Sequence, residues 1–273
     1  MKSQASTQSV QLETAARPVK SRFPAVLGYG FRPFFLLAGI HAAIAIPLWI
    51  SVLHGFDLPP TALPVAVWHA HEMLYGFIAA AMAGFLLTAV PSWTNQRGYA
   101  GAPLAALVLL WLAGRVAMTI PLGLPPLWAG IVDLAFLPAL ALMLLPALMR
   151  SGNRRNLVFI GLLALLFAAN LHFHINAATS MVPLMLGLNA MMFILTLLGG
   201  RVVPAFTSAA LKQLGHDIRI KRFQPLDRAA LFSVAAVLLL DLVVPASLYA
   251  AVMAAAAAVL LALQLGQWQG YRT

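Results

Sequence analysis

Apolar positions along this chain neither alternate nor recur at a single helical face; they run on. Mostly apolar stretches near the ~20 residues that a helix needs to cross a hydrocarbon core cover residues 34–54, 64–90, 102–121, 127–148, 155–175, 181–203, 229–244 and 245–265. The surface helix of a soluble protein would carry one apolar stripe and one polar face. These stretches are apolar all round, so the pattern predicts about eight membrane-spanning helices. The seventh is the shortest, and the turn at Val244-Pro245 that divides it from the eighth is very tight.

The charges between the stretches alternate. Lys2, Arg17, Lys20, Arg22 and Arg32 precede the first span, and Arg97 follows the second. Arg150, Arg154 and Arg155 follow the fourth span. The sixth is followed by Arg201, Lys212, Arg219, Lys221, Arg222 and Arg228, and the eighth by Arg272. The connections around 55–63, 122–126, 176–180 and 244–245 hold no Lys or Arg. Cations concentrate on the cytoplasmic side of a membrane protein, so both termini are expected in the cytoplasm. Residues 1–27 are polar, lack the apolar run of a signal peptide, and are expected to form a disordered cytoplasmic tail. Residues 28–273 are expected to form an all-α, polytopic transmembrane helix bundle. The stretch 211–227 reads as a short cytoplasmic connector.

Composition agrees. Of the 273 residues, 62% are hydrophobic and 9% charged, against about 25% charged in soluble domains; mean hydropathy is +0.90. The partner implied is the lipid bilayer. The net charge of +10 would elsewhere raise nucleic-acid binding, but these cations flank apolar spans and read as topology determinants, so no nucleic-acid partner is expected. The chain has no cysteine. That excludes disulfides, iron–sulfur clusters and thiolate-held haem, and leaves His, Met, carboxylates and backbone oxygens to hold any metal.

Ionisable groups inside hydrocarbon cost at least a few kcal/mol each and mark candidate sites. Here they are His41, His69, His71, Glu72, Arg115, Asp133, His172, His174 and Asp241. The second span enters from the outer side, which puts His69, His71 and Glu72 within about two turns of that surface. The fifth span leaves there, which puts His172 and His174 at the same level. His41 is expected in the opposite, inner half of the first span, His54 and His216 in solvated loops, and Asp241 at a solvated outer helix end. Neutral imidazole is a good ligand for iron, copper and zinc. Residues two apart on a helix point about 200° apart, so each His-x-His pair is expected to send one ring to a site and the other elsewhere, although two sites on opposite faces also satisfy the spacing. Glu72, three residues after His69, is expected to orient it. Hydrogen bonding of these histidines at the membrane interface, without any metal, is the plainer alternative.

Arg115 and Asp133 each lie nine positions from Leu124, the middle of a tight outer turn, so antiparallel helices bring them to one depth and predict an ion pair. The pair serves either as a clamp between the third and fourth spans or, with Arg115 also facing an anionic ligand such as a haem propionate, as part of a site. Gly199, Gly200 and Arg201 close the sixth span, with Arg201 read as a topology anchor. The eleven methionines, Met73 beside the histidines included, read as packing residues.

Several strings are recognisable. Trp68-His69-Ala70-His71-Glu72-Met73 runs into Tyr75-Gly76-Phe77, and Ala83-Gly84-Phe85-Leu86-Leu87-Thr88-Ala89-Val90-Pro91 follows. Gly30-Phe31-Arg32-Pro33-Phe34-Phe35 precedes the first span, Asp133-Leu134-Ala135-Phe136 lies in the fourth, and Gly199-Gly200-Arg201-Val202-Val203-Pro204-Ala205-Phe206-Thr207 closes the sixth. From about Gly28 onward the chain resembles the NnrS family of bacterial membrane proteins. The resemblance implies a multi-pass inner-membrane protein that contains haem and copper and acts in the response to nitric oxide, in denitrification and nitrosative stress, with no defined catalytic cycle. It carries His69, His71, His172 and His174 over as metal-ligand candidates, without saying which binds what; Glu72, Arg115 and Asp133, singled out above by spacing and depth, are the cofactor-binding candidates beside them. Family members resemble longer, twelve-span proteins, so a chain ending at Thr273 is expected to be incomplete. Two other classes fit the residues alone: a transporter or channel with a His-lined ion site in the outer leaflet, and a structural or regulatory membrane subunit.

Overall fold

The computed structural model describes residues 23–56, 63–123, 125–152, 156–176, 181–215 and 223–269. The polar tail through Arg22, together with Arg154, Arg155, His216, Arg219, Lys221, Arg222 and Arg272, lies outside the described residues.

Every regular element among them is helical. A single turn at Ala25–Gly28 precedes α1 (Phe31–Leu53). Next come α2 (Val65–His71), a seven-residue π-helix (Glu72–Ile78) and α3 (Ala79–Thr94), which run on as one 30-residue span. Then follow α4 (Ala102–Thr119), and α5 (Pro126–Leu134) joined to α6 (Phe136–Arg150) as another span. The chain continues through α7 (Val158–Ile175), α8 (Val182–Gln213), α9 (Gln224–Val243) and α10 (Leu248–Trp268).

Seven of these helical units are long and apolar enough to cross a membrane, one fewer than the apolar runs predict. The difference is α9: it carries Asp227, Arg228 and Asp241 and is not among the seven. It packs against both α8 and α10. Its Asp241 accepts a hydrogen bond from Asn189 of α8 (2.6 Å). At its other end, Asp227 accepts from Gln264 and Gln267 of α10 (3.0 and 2.6 Å). Asp241 is therefore half-buried and partnered, not simply solvated. α8 also continues ten residues past the expected end at 203, through Pro204 to Gln213; proline is tolerated inside membrane helices.

Chain neighbours pack as antiparallel neighbours, α7 on α8 and α9 on α10. The unit from α2 to α3 is the centre: 61% of its apolar window is buried, against 11% for α1 and 17% for α10. Its position rests on small residues. A Cβ on Gly84 would stand 2.9 Å from the ring of Phe35, and one on Gly187 would stand 2.6 Å from Leu74. Phe34, Leu87, Leu140, Leu144 and Leu163 close the core around it.

Candidate functional site

The central unit carries His71 and Glu72 into a cluster closed by four other spans. Residues two apart on a helix diverge by about 200°, and the chain obeys this twice. His71 is fully buried, whereas His69 turns to α1 and stacks on Trp49 with ring centres 4.1 Å apart. On α7, His174 turns inward and His172 is exposed. One ring from each pair therefore meets the other: the centres of His71 and His174 lie 5.9 Å apart.

Two carboxylates join these rings. Asp133 of α5 presents Oδ2 to His174 Nε2 (2.9 Å) and His71 Nε2 (3.3 Å). Glu72 presents Oε1 to His71 Nδ1 (3.2 Å). Arg115 of α4 spans both acids, Nη1 donating to Glu72 Oε1 (2.6 Å) and Nη2 to Asp133 Oδ1. The ion pair read from the sequence is present, with Glu72 as an additional partner. Glu72 does not orient His69. Three residues on an α-helix amount to 300°, and the remaining 60° separates a ring stacked on α1 from a carboxylate turned to the centre.

Two further members complete the cluster. His41, expected in the inner half of its span, sits near the midpoint of α1, and its Nε2 lies 3.3 Å from Glu72 Oε2. Its ring meets the edge of Trp111, whose indole donates to the Gly76 carbonyl (3.2 Å). Asn170 of α7 donates to Asp133 Oδ2 (2.8 Å) and places its Oδ1 3.1 Å from His71 Nε2. Its spacing of four from His174 puts both on one helix face, a signal the sequence contained. Glycines admit both outer imidazoles: a Cβ on Gly76 would stand 2.3 Å from His41 Nε2, and one on Gly130 would stand 3.0 Å from His174 Nδ1. Gly76 lies in the π-helix; such segments are rare and concentrate at functional sites.

His71, Asp133 and His174 form a group that can hold a metal ion, with one ligand atom from each within 4.8 Å of the others. Ligands at roughly 2.0–2.1 Å from a tetrahedral metal stand about 3.3 Å apart, close to the His71–Asp133 separation of 3.3 Å. Two carboxylates face one guanidinium in this buried site, and either a protonated imidazole or a bound cation would balance the second carboxylate. Metal-bound histidines commonly give their other ring N–H to a carboxylate, and Glu72 stands at that position for His71.

A porphyrin does not fit at this cluster. His71 and Glu72 are completely buried, and Phe173 stacks on His71 with ring centres 4.7 Å apart. Neither of the two cavities described is lined by a histidine.

A family model described as NnrS protein matches residues 25–273. No curated protein and no solved structure matches the chain.

Proposed function

The chain belongs to the NnrS family, and from that premise we propose that it is a multi-pass bacterial inner-membrane protein that binds copper at His71, Asp133 and His174 and acts in the response to nitric oxide. The observation that carries the reading is the convergence of two imidazoles and a carboxylate from α2, α5 and α7 on one buried point. Imidazole suits copper, iron and zinc, and the family resemblance selects copper among them. Such an ion would supply a redox-active centre able to take a small ligand such as nitric oxide.

The protein's own residues do the rest. Glu72 fixes the His71 ring through Nδ1, and Arg115 holds both carboxylates in place. Asn170 bridges Asp133 and His71, and the stacked Phe173 ring excludes water from one face of His71. His69 and His172 stand outside this group. Haem, which the resemblance also implies, has no place at this cluster.

The test is the metal content and electron paramagnetic resonance of protein purified after expression with copper supplied. About one copper per chain is expected, lost in His71→Ala and in His174→Ala and kept in His172→Ala, with a spectrum altered by nitric oxide. Equal copper in wild type, His71→Ala and His174→Ala would remove the assignment.

One observation favours a second reading as an ion pathway: ionisable groups run without interruption from His41 through Glu72, His71 and Asp133 to His174. Liposome flux abolished by His71→Ala in metal-free protein would support it over the first.

A further inference from the structure

A cavity of about 760 Å³ lies at the end of the bundle where α1 begins and α3 finishes, with α8 as its third wall. Arg32, at the start of α1, and Arg97, just after α3, mark the same end. Its apolar lining includes Phe35, Phe85, Trp93 and Phe206. Phe35 is 47% and Phe206 70% exposed, so the cavity opens sideways, toward the surroundings of the bundle. A volume of 300–1,000 Å³ with mostly apolar walls and a few polar groups is typical of a small-ligand site.

The polar groups are Thr88, Ser92, Asn156 and Arg201, and the Thr88 hydroxyl donates to the Gly84 carbonyl (2.9 Å). An arginine that only anchors a helix end extends its head outward to water. Arg201 is instead turned into the protein: Nη1 donates to Oδ1 of the buried Asn156 (3.0 Å), and the guanidinium lies 5.9 Å from the centre of Phe159. Phe159 in turn stacks on Trp93, with centres 5.4 Å apart. The guanidinium is thus set in a fixed place at the mouth of an aromatic-walled slot. Guanidinium matches the geometry of a phosphate group, and basic pockets between membrane helices on the cytoplasmic side take anionic lipid headgroups.

We propose that this cavity binds an anionic phospholipid, its phosphate at Arg201 and its acyl chain along Phe35, Phe85 and Phe206. Arg201 is then a ligand-binding residue as well as a marker of topology. The site is separate from the His71 cluster and does not depend on a metal there.

Trp93 lies in the cavity and reports its occupancy. The full chain is reconstituted in phosphatidylcholine vesicles containing brominated phosphatidylglycerol or brominated phosphatidylcholine. The Trp93 signal is the difference between wild type and Trp93→Phe. Brominated phosphatidylglycerol is expected to quench that signal with a relative binding constant about fivefold higher, the preference one cation confers toward anionic lipid. The preference should disappear in Arg201→Gln and persist in Arg201→Lys. Trp128, exposed at the start of α5 at the opposite end and read by difference with Trp128→Phe, should show none. Equal quenching of Trp93 by the two lipids in wild type overturns the proposal, whatever the fate of the variants. So does a preference that Arg201→Gln leaves intact.

Discussion

Removing the Arg115 guanidinium strands two buried carboxylates at once. Its Nη1 holds Glu72 and its Nη2 holds Asp133, and the side chains are 8%, 0% and 1% exposed. Breaking a buried ion pair by deleting one partner costs about 3–5 kcal/mol, because an uncompensated charge stays behind. Arg115→Met should therefore shift the folding equilibrium by about two to four decades. The two acids share one cation, so the losses are not independent. Adding Asp133→Asn removes one stranded charge and should recover part of the loss. Adding Glu72→Gln as well removes the other and should bring the protein to within about 1–2 kcal/mol of wild type, the remainder reflecting imperfectly paired polar groups. A reading with Asp133 as sole partner predicts full recovery at the first step; the two-acid geometry predicts recovery in two. The assay is reversible unfolding in mixed micelles with increasing sodium dodecyl sulfate, followed by tryptophan fluorescence. A triple variant no more stable than Arg115→Met would refute the argument, because it would mean that neither carboxylate was charged and held by Arg115.

Three further outcomes follow from the geometry. Gly76→Ala places a methyl group 2.3 Å from His41 Nε2, so His41 must leave Glu72. The same unfolding assay should report a loss of about 1–3 kcal/mol, most of it recovered when His41→Ala is added. Gly130→Ala puts its methyl 3.0 Å from His174 Nδ1 and should displace that ring; copper affinity, measured by competition with a chelator, should fall about tenfold or more. The absence of cysteine allows topology to be mapped with single introduced thiols and a membrane-impermeant maleimide. Gly123→Cys and Ala246→Cys should label in intact spheroplasts, and Gly98→Cys and Gly152→Cys only after lysis; a lysis requirement at 246 would show that α9 does not cross.

The spans were legible because hydrocarbon demands long apolar helices and leaves few alternatives. The meeting of Arg115 and Asp133 was legible for a related reason: a tight turn at known sequence distance sets both depths. The partners of Glu72 were not. Depth along a single helix says nothing about which neighbour it faces, and His41, near the midpoint of α1, falls on either side of the bilayer centre with a shift of a residue or two in the helix start. Asn170 carries no charge and so does not stand out among ionisable groups, yet its place four residues before His174 in an otherwise apolar helix marks the same face. The π-helix at Glu72–Ile78 leaves no periodic trace, because after Glu72 the segment holds no charged residue to mark a face.

The one helix that apolarity leaves out has the same physical basis as the cluster. Counting Asp227, Arg228 and Asp241 against α9 assigns each the cost of an isolated group in hydrocarbon. An acid that accepts hydrogen bonds from a neighbouring helix does not bear that cost in full. Asp241 faces Asn189 of α8, and Asp227 faces Gln264 and Gln267 of α10. These contacts pin α9 at both ends between two helices that are themselves apolar enough to span. A 20-residue helix rises about 30 Å, the thickness of the hydrocarbon core. Other polar groups at depth are paired in the same way: Glu72 and Asp133 face Arg115, and Asn170 faces Asp133. Hydropathy alone sees only the cost of each group, so it ranks α9 below the spans; the pairing across helices is what makes a crossing by α9 consistent with its charges.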